Sequence, residues 1–129
     1  MQVLPSTAAH PPINIKDVTR LDGNVQAGVK YLRFIIDEYF QDEKINTFNR
    51  YLLAMASYNA GPAKISALRK KAAKQGLDPN QWFNNVELVA AQDIGQETVQ
   101  YVSNIYKYYV SYRRILELRE MKKKAINKN

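Results

Sequence analysis

The residues best suited to chemistry stand in three short blocks. Met1-Gln2-Val3-Leu4-Pro5-Ser6-Thr7-Ala8 opens the chain, Ala56-Ser57-Tyr58-Asn59-Ala60-Gly61-Pro62 falls near its middle, and Glu97-Thr98-Val99-Gln100-Tyr101-Val102 follows later. Tyrosine packs through its ring while its hydroxyl seeks a hydrogen-bond partner. A tyrosine at a helix end beside a turn can therefore present its hydroxyl to a groove, and a cleft lined in this way suits a polar ligand such as a sugar. Each block also has an ordinary structural reading. Tyr-Asn-Ala-Gly-Pro reads as a helix stop, Glu97 is favourable near a helix N-terminus, Gln2 is a polar residue at a chain end, and a single tyrosine more often marks an amphipathic core edge.

Other chemistries lack their residues. His10 is the only histidine, and no carboxylate cluster stands around it at ligand spacing, so no metal site is expected. Between Ala9 and Pro11 it reads as an exposed loop residue. A serine–histidine nucleophile would also need His10, and no nucleophile motif accompanies it. The five glycines are isolated, so no phosphate loop is present. The absence of cysteine excludes disulfide and thiol chemistry. No cofactor is expected.

The elements that must position the three blocks are helical. Residues 1–22 contain Pro5, Pro11 and Pro12 and read as an extended loop, with a short turn around Ser6 to Ala9. Val25, Val29, Leu32, Ile36 and Phe40 recur at spacings of four, three, four and four, one face of a helix, with Asp22 or Asn24 placed to cap it. A second helix is predicted from about Thr47 to Tyr58, with Phe48, Leu52, Met55 and Ala56 inward. It stops at Asn59-Ala60-Gly61-Pro62. Pro62 suits the first position of a third helix, which buries Ile65 and Leu68 and ends at Gly76 as a left-handed cap. Asp78-Pro79 is expected to start a short helix carrying Trp82, the only tryptophan; Val86 to Gly95 is ambiguous. The last helix runs from about Gln96 to beyond Arg119, with Tyr101, Val102, Ile105, Tyr109, Tyr112, Ile115 and Leu116 as its apolar stripe. No segment alternates with period two, so the class is all-α.

At 129 residues the chain suits one compact domain, and an apolar fraction of 46% argues against disorder. The formal net charge is +7, and from Tyr112 onward seven cations against two acids account for +5 of it. Such a basic end can touch nucleic acid, anionic lipid or an acidic wall polymer; its ordinary reading is a solvated, frayed terminus. No run approaches the roughly 18 consecutive apolar residues of a membrane span, and Met1 to Pro12 lacks the charged and apolar regions of a signal peptide.

Together and in this order, the blocks resemble the lytic transglycosylase SLT domain, a lysozyme-like fold of glycoside hydrolase family 23. That family carries a Gly-Leu-Met-Gln-x-x-Pro-x-Thr-Ala block, an Asn-[Ile/Val]-x-x-Gly-x-x-Tyr-Leu helix, an Ala-x-Tyr-Asn-Ala-Gly-Pro turn and a Glu-Thr-x-x-Tyr-Val start to its last helix. This chain supplies Met1-Gln2 with Pro5, Thr7 and Ala8, then Asn24-Val25-Gln26-Ala27-Gly28-Val29-Lys30-Tyr31-Leu32, then the Tyr58 block and the Tyr101 block. The resemblance covers about residues 1–110. It implies an SLT-like, goose-type-lysozyme-like helical domain over residues 1–118, lacking its first helix or helices, followed by a basic tail over 119–129.

The resemblance also implies a reaction: cleavage, without water, of the β-1,4 bond between N-acetylmuramic acid and N-acetylglucosamine in peptidoglycan. One glutamic acid protonates the leaving oxygen and then, as a base, helps the muramyl 6-hydroxyl attack the anomeric carbon, leaving a 1,6-anhydromuramyl end. A single carboxyl in an apolar cleft suits this, because burial raises its pKa; the second carboxylate of the general glycosidase pattern is not required. By the same resemblance Met1 packs beside the site, Gln2 hydrogen-bonds sugar, Tyr58 sits near the reacting sugar, Asn59 holds the turn that positions it, and Tyr101 faces the cleft. Glu97 is expected to be structural. The implied partners are peptidoglycan glycan strands and not nucleic acid, in the periplasm or cell envelope of a bacterium.

The departure lies at the front. The family's acid belongs to a Glu-Ser motif upstream of the Gly-Leu-Met-Gln block, and none of the twelve acidic residues here stands in such a motif. Asp37, Glu38, Asp42 and Glu43 lie on or just after the first helix, where a solvated face is the ordinary explanation. The expected consequence is loss of the proton-transfer contribution, roughly 10²–10⁴-fold, and self-association through surface that an acid-bearing helix would cover. Either the sequence is a piece or misassigned start of an enzyme, or it is a degenerate relative that binds glycan without cutting it. A third reading is a basic helical binder of nucleic acid or a membrane surface. If turnover were nonetheless found, Glu97, Glu38 and Asp22 are the acids to replace first.

Overall fold

A computed structural model describes residues 21–127. Its elements are α1 (Leu21–Tyr39), α2 (Thr47–Ala60), α3 (Pro62–Lys74), a kinked turn at Trp82–Val86, α4 (Glu87–Asp93) and α5 (Gln96–Asn127). No strand occurs among the described residues, and the all-α class holds. Among them, no helix is long and apolar enough to cross a membrane. Met1, Gln2, the Ser6–Ala9 turn and His10 lie outside the described residues.

Helix α2 is the hub, packing against α1, α3, α5 and the kinked turn. Asn46 caps its start, accepting a hydrogen bond from the Asn49 backbone N–H at 2.8 Å, which satisfies one of the orphan donors of the first turn. Its buried residues are Asn49, Leu52, Leu53, Ala54, Ala56 and Ser57. Of the residues expected inward, Leu52 and Ala56 are buried and Met55 half-buried. Phe48 instead stands 44% exposed, because its ring turns toward Phe83 and Tyr106, with centroids 6.3 and 5.7 Å away.

Helix α1 buries Ala27 and Ile35, with Phe40 just past its end. The expected stripe is rotated: Val29 is 56% exposed, while Leu32 and Ile36 are only half-buried. Periodicity marks an apolar face, but the position of α2 decides which edge of that face is covered. The helix is already under way at Leu21, so Asp22 and Asn24 lie within it rather than ahead of it.

Pro62 occupies the first turn of α3, and Ile65, Leu68 and Ala72 are buried. The helix ends as expected at a left-handed Gly76, φ +80°. Leu77 N–H donates to Ala72 O and Gly76 N–H to Ala73 O, the paired bonds of a Schellman cap. The short helix expected at Asp78-Pro79 is absent. Asp78 instead accepts from the Asn80 backbone N–H at 2.8 Å, an Asx turn that competes with helix initiation. Arg69 clamps this turn through Pro79 O and Asn80 Oδ1 while lying over the Phe40 ring. Trp82 is fully buried, and its backbone N–H donates to Asn49 Oδ1 at 3.0 Å. Asn84 adopts φ +60°, and its N–H donates to Glu87 Oε1. The ambiguous stretch thus resolves into a kink followed by α4, which buries Val89 and Ala90.

Helix α5 begins as expected at Gln96 but outruns everything it packs on. Its 32 residues extend about 48 Å, against about 21 Å for the 14 residues of α2. Only Thr98 and Val102 are buried, and every residue from Lys107 to Asn127 is exposed. Of the expected stripe, Tyr109, Tyr112, Ile115 and Leu116 are 40–62% exposed. The helix runs unbroken through the expected boundary at 118/119.

Candidate functional site

The Tyr58 block forms the last turn of α2. Gly61 closes it at φ +100°, and its N–H donates to Ser57 O at 2.8 Å. A residue with a Cβ is strained in that conformation, which is why Gly precedes Pro here and why the chain can turn sharply into α3. Ser57 is buried, its hydroxyl bonded back to Leu53 O at 2.8 Å. The next side chain, Tyr58, is left half-buried at the helix end.

Three tyrosines from three helices converge at this point. The Tyr31 ring of α1 meets the Tyr58 ring of α2 edge-on, with centroids 5.7 Å apart and planes at 68°. Tyr101 of α5 lies close enough to Tyr58 for their phenols to interact electrostatically. Burial first, then the neighbouring Tyr101 and Tyr31, pushes the Tyr58 phenol above the ordinary tyrosine value. Burial does the same for Tyr101, and burial followed by Tyr39 does it for Tyr31. Three neutral phenols are therefore held together, each able to donate or accept a hydrogen bond.

Asn59 points elsewhere. Its Oδ1 accepts the hydroxyl hydrogen of Thr98 in the first turn of α5, at 2.7 Å. Since Asn59 meets Thr98 and Tyr58 meets Tyr101, α2 and α5 run antiparallel. Between them lies a cavity of about 540 Å³, bounded by Phe48, Tyr51 and Met55 on one side and Ile105, Tyr106 and Tyr109 on the other. A second cavity of about 370 Å³ lies between α1 and α2, and Tyr51 and Met55 border both. Tyr58 borders neither. It follows Tyr51 and Met55 by seven and three positions, however, and so shares their face of α2. The tyrosine cluster thus lies toward the C-terminal end of that face, outside both cavities.

Of the expected site residues, the structure brings Tyr58 and Tyr101 together and ties Asn59 to the helix that carries Tyr101. Met1 and Gln2 are outside the described residues. Tyr31 was legible only as part of a helical pattern; its role needed the packing of α1 on α2. The acids Asp37, Glu38, Asp42, Glu43 and Glu97 are all exposed, as a solvated face requires, and the side chain of Asp22 is outside the described ones. Among the described residues no group of acids and histidines could hold a metal ion.

The family model described as Transglycosylase SLT domain matches residues 1–82, more than half of the chain. The chain is 35% identical over 105 residues to membrane-bound lytic murein transglycosylase F of Pseudomonas syringae pv. tomato, covering 70% of this chain and 21% of that protein. It is 31% identical over 99 residues to the protein of the same name from Pseudomonas fluorescens, covering 67% and 20%. It is 30% identical over 112 residues to that of Vibrio campbellii, covering 77% and 21%. The chain thus spans about a fifth of the length of the curated relatives it matches. No solved structure matches significantly.

Proposed function

This chain belongs to the transglycosylase SLT domain family, and from that premise we propose that it is the glycan-handling part of a peptidoglycan lytic transglycosylase acting in the bacterial cell envelope. The observation that carries this reading is the convergence of Tyr31, Tyr58 and Tyr101 at the end of α2, the helix whose Tyr51 and Met55 border an aromatic trough. Aromatic faces offer apolar area to the C–H faces of sugar rings, and neutral phenols reach their hydroxyl and N-acetyl groups. Tyr58 and Tyr101 contact the reacting sugar, and Asn59, bonded to Thr98, ties the end of α2 that carries Tyr58 to the start of the helix that carries Tyr101. By the family resemblance, Gln2 hydrogen-bonds sugar and Met1 packs beside the site. The ligand is a glycan strand of peptidoglycan, and the reaction of the parent activity is the non-hydrolytic cleavage that leaves a 1,6-anhydromuramyl end.

That reaction needs a carboxyl that is protonated near neutral pH, and burial is the usual means of making one. No carboxylate among the described residues is buried. The exposed Asp37, Glu38, Asp42, Glu43 and Glu97 lack the surroundings that chemistry requires. We therefore expect this polypeptide to bind glycan without turning it over. The test is mass spectrometry of soluble muropeptides after incubation with purified peptidoglycan, paired with sedimentation of the chain on the insoluble polymer. Co-sedimentation without anhydromuramyl products is expected. Anhydro products would overturn the binding-only reading, and failure to sediment would overturn glycan recognition.

A further inference from the structure

We propose that Thr98 is a positioning residue for the tyrosine cluster: its hydroxyl, bonded to Asn59 Oδ1 at 2.7 Å, locks the register of α5 against α2 and so sets the distance between Tyr58 and Tyr101. This rests on the glycan-binding reading above for its functional meaning, but its geometry stands alone. Thr98 is 4% exposed, whereas every described residue of α5 beyond Tyr106 is exposed, so the helix is held only over Gln96–Tyr106, and Thr98 lies in the first turn of that stretch. Asn59 directly follows Tyr58 in the chain, and Thr98 precedes Tyr101 by three positions, one helical turn on the same face.

Apolar packing restrains α5 through Val102, its only fully buried apolar side chain, and through Tyr106, whose ring meets Phe48 and Phe83, but such contacts tolerate small sliding and rotation. A hydrogen bond does not, because it weakens steeply with distance and angle. The side-chain bond at the helix start therefore adds the directional restraint nearest to Tyr101. Without it, Asn59 Oδ1 is left half-buried and unpaired by Thr98, and α5 is free to shift against the end of α2.

The test compares the full chain with Thr98→Val, which keeps the shape and removes the donor, and Thr98→Ser, which keeps the donor. Two readouts are taken: affinity for an N-acetylglucosamine hexamer by calorimetry, and the ζ-carbon resonances of ¹³C-labelled Tyr58 and Tyr101, with the thermal midpoint alongside. Thr98→Val is expected to weaken the hexamer roughly tenfold and to displace both tyrosine resonances, on the scale of one buried hydrogen bond; Thr98→Ser restores both. Unmoved resonances in a folded Thr98→Val protein overturn the proposal. So does a loss of affinity that Thr98→Ser fails to restore. If the unaltered chain does not bind the hexamer, the glycan-binding reading falls, and the tyrosine resonances alone then decide whether Thr98 sets the cluster.

Discussion

The ring of Tyr31 meets the ring of Tyr58 edge-on at 5.7 Å, which joins the middle of α1 to the last turn of α2. Edge-to-face geometry sets the positive ring edge of one against the negative face of the other. Tyr31 thereby restrains the ring plane of Tyr58, and with it the plane in which the phenol O–H lies.

Tyr58→Phe should lower affinity for N-acetylglucosamine oligomers by about 0.5–1.5 kcal/mol, the net worth of one hydrogen bond, while keeping the ring that packs on Tyr31 and with it the ring's own contribution to the thermal midpoint. Tyr31→Ala should reduce both, because it removes an aromatic pair worth about 0.5–1.5 kcal/mol beyond area burial. Calorimetric titration and thermal unfolding on the same samples separate the two. Equal affinity in Tyr58→Phe would count against sugar contact.

The raised phenols make a statement about alkaline stability. A phenol with a higher pKa folded than unfolded holds its proton more tightly in the native state. Its contribution to stability is complete below the unfolded value of 10.0 and is lost as pH rises from there through the folded value. Thermal midpoints should therefore be flat in this respect below pH 10 and fall above it. In Tyr58→Phe the fall should be shallower, both because one such group is gone and because Tyr58 no longer interacts with Tyr101 and Tyr31. Midpoints measured across the alkaline range check this.

Asn49 carries more of the fold than its polarity suggests. It is 7% exposed, its Nδ2 donates to Asn46 Oδ1, and its Oδ1 accepts the Trp82 N–H. Asn49→Ala strands that backbone donor beside a fully buried indole and should destabilise by about 1–3 kcal/mol, read by denaturant unfolding. Trp82→Ala, which empties the same region, should cost about 3–5 kcal/mol. An Asn49→Ala protein as stable as the parent would mean that the Trp82 N–H finds another acceptor.

The bare part of α5 should behave differently. Deleting residues 119–129 removes no buried side chain among those described, so stability should change by no more than about 0.5 kcal/mol. Tyr109, Tyr112, Ile115 and Leu116 nevertheless leave apolar surface uncovered beside the trough, and we expect it to drive self-association. The clustered cations oppose that pairing, so added salt, which screens them, should increase it. Light scattering at low and high salt tests both statements; a monodisperse monomer in each would reject self-association.

The order of blocks in the sequence was sufficient to identify the family, the all-α class and the starts of α2, α3 and α5, because caps and breakers act locally. Asn46, Gly61, Pro62 and Gly76 do their work through their own backbone and nearest neighbours. Tyr58 and Tyr101 could be picked out by the same local logic, since each belongs to a short block. What only the tertiary structure decided depends on distance in space. Which edge of α1 is covered follows from where α2 lies, so Val29 is exposed and Ile35 is not. Asp78 makes a turn and not a helix, because its side chain is taken by Asn80 while Arg69 holds the next two residues. The stripe on α5 reads as core to its end, yet the helix outruns its partners and is bare beyond Tyr106. The pairing of Tyr31 with Tyr58, and of Asn59 with Thr98 at a separation of 39 residues, arises only when helices remote in sequence pack side by side.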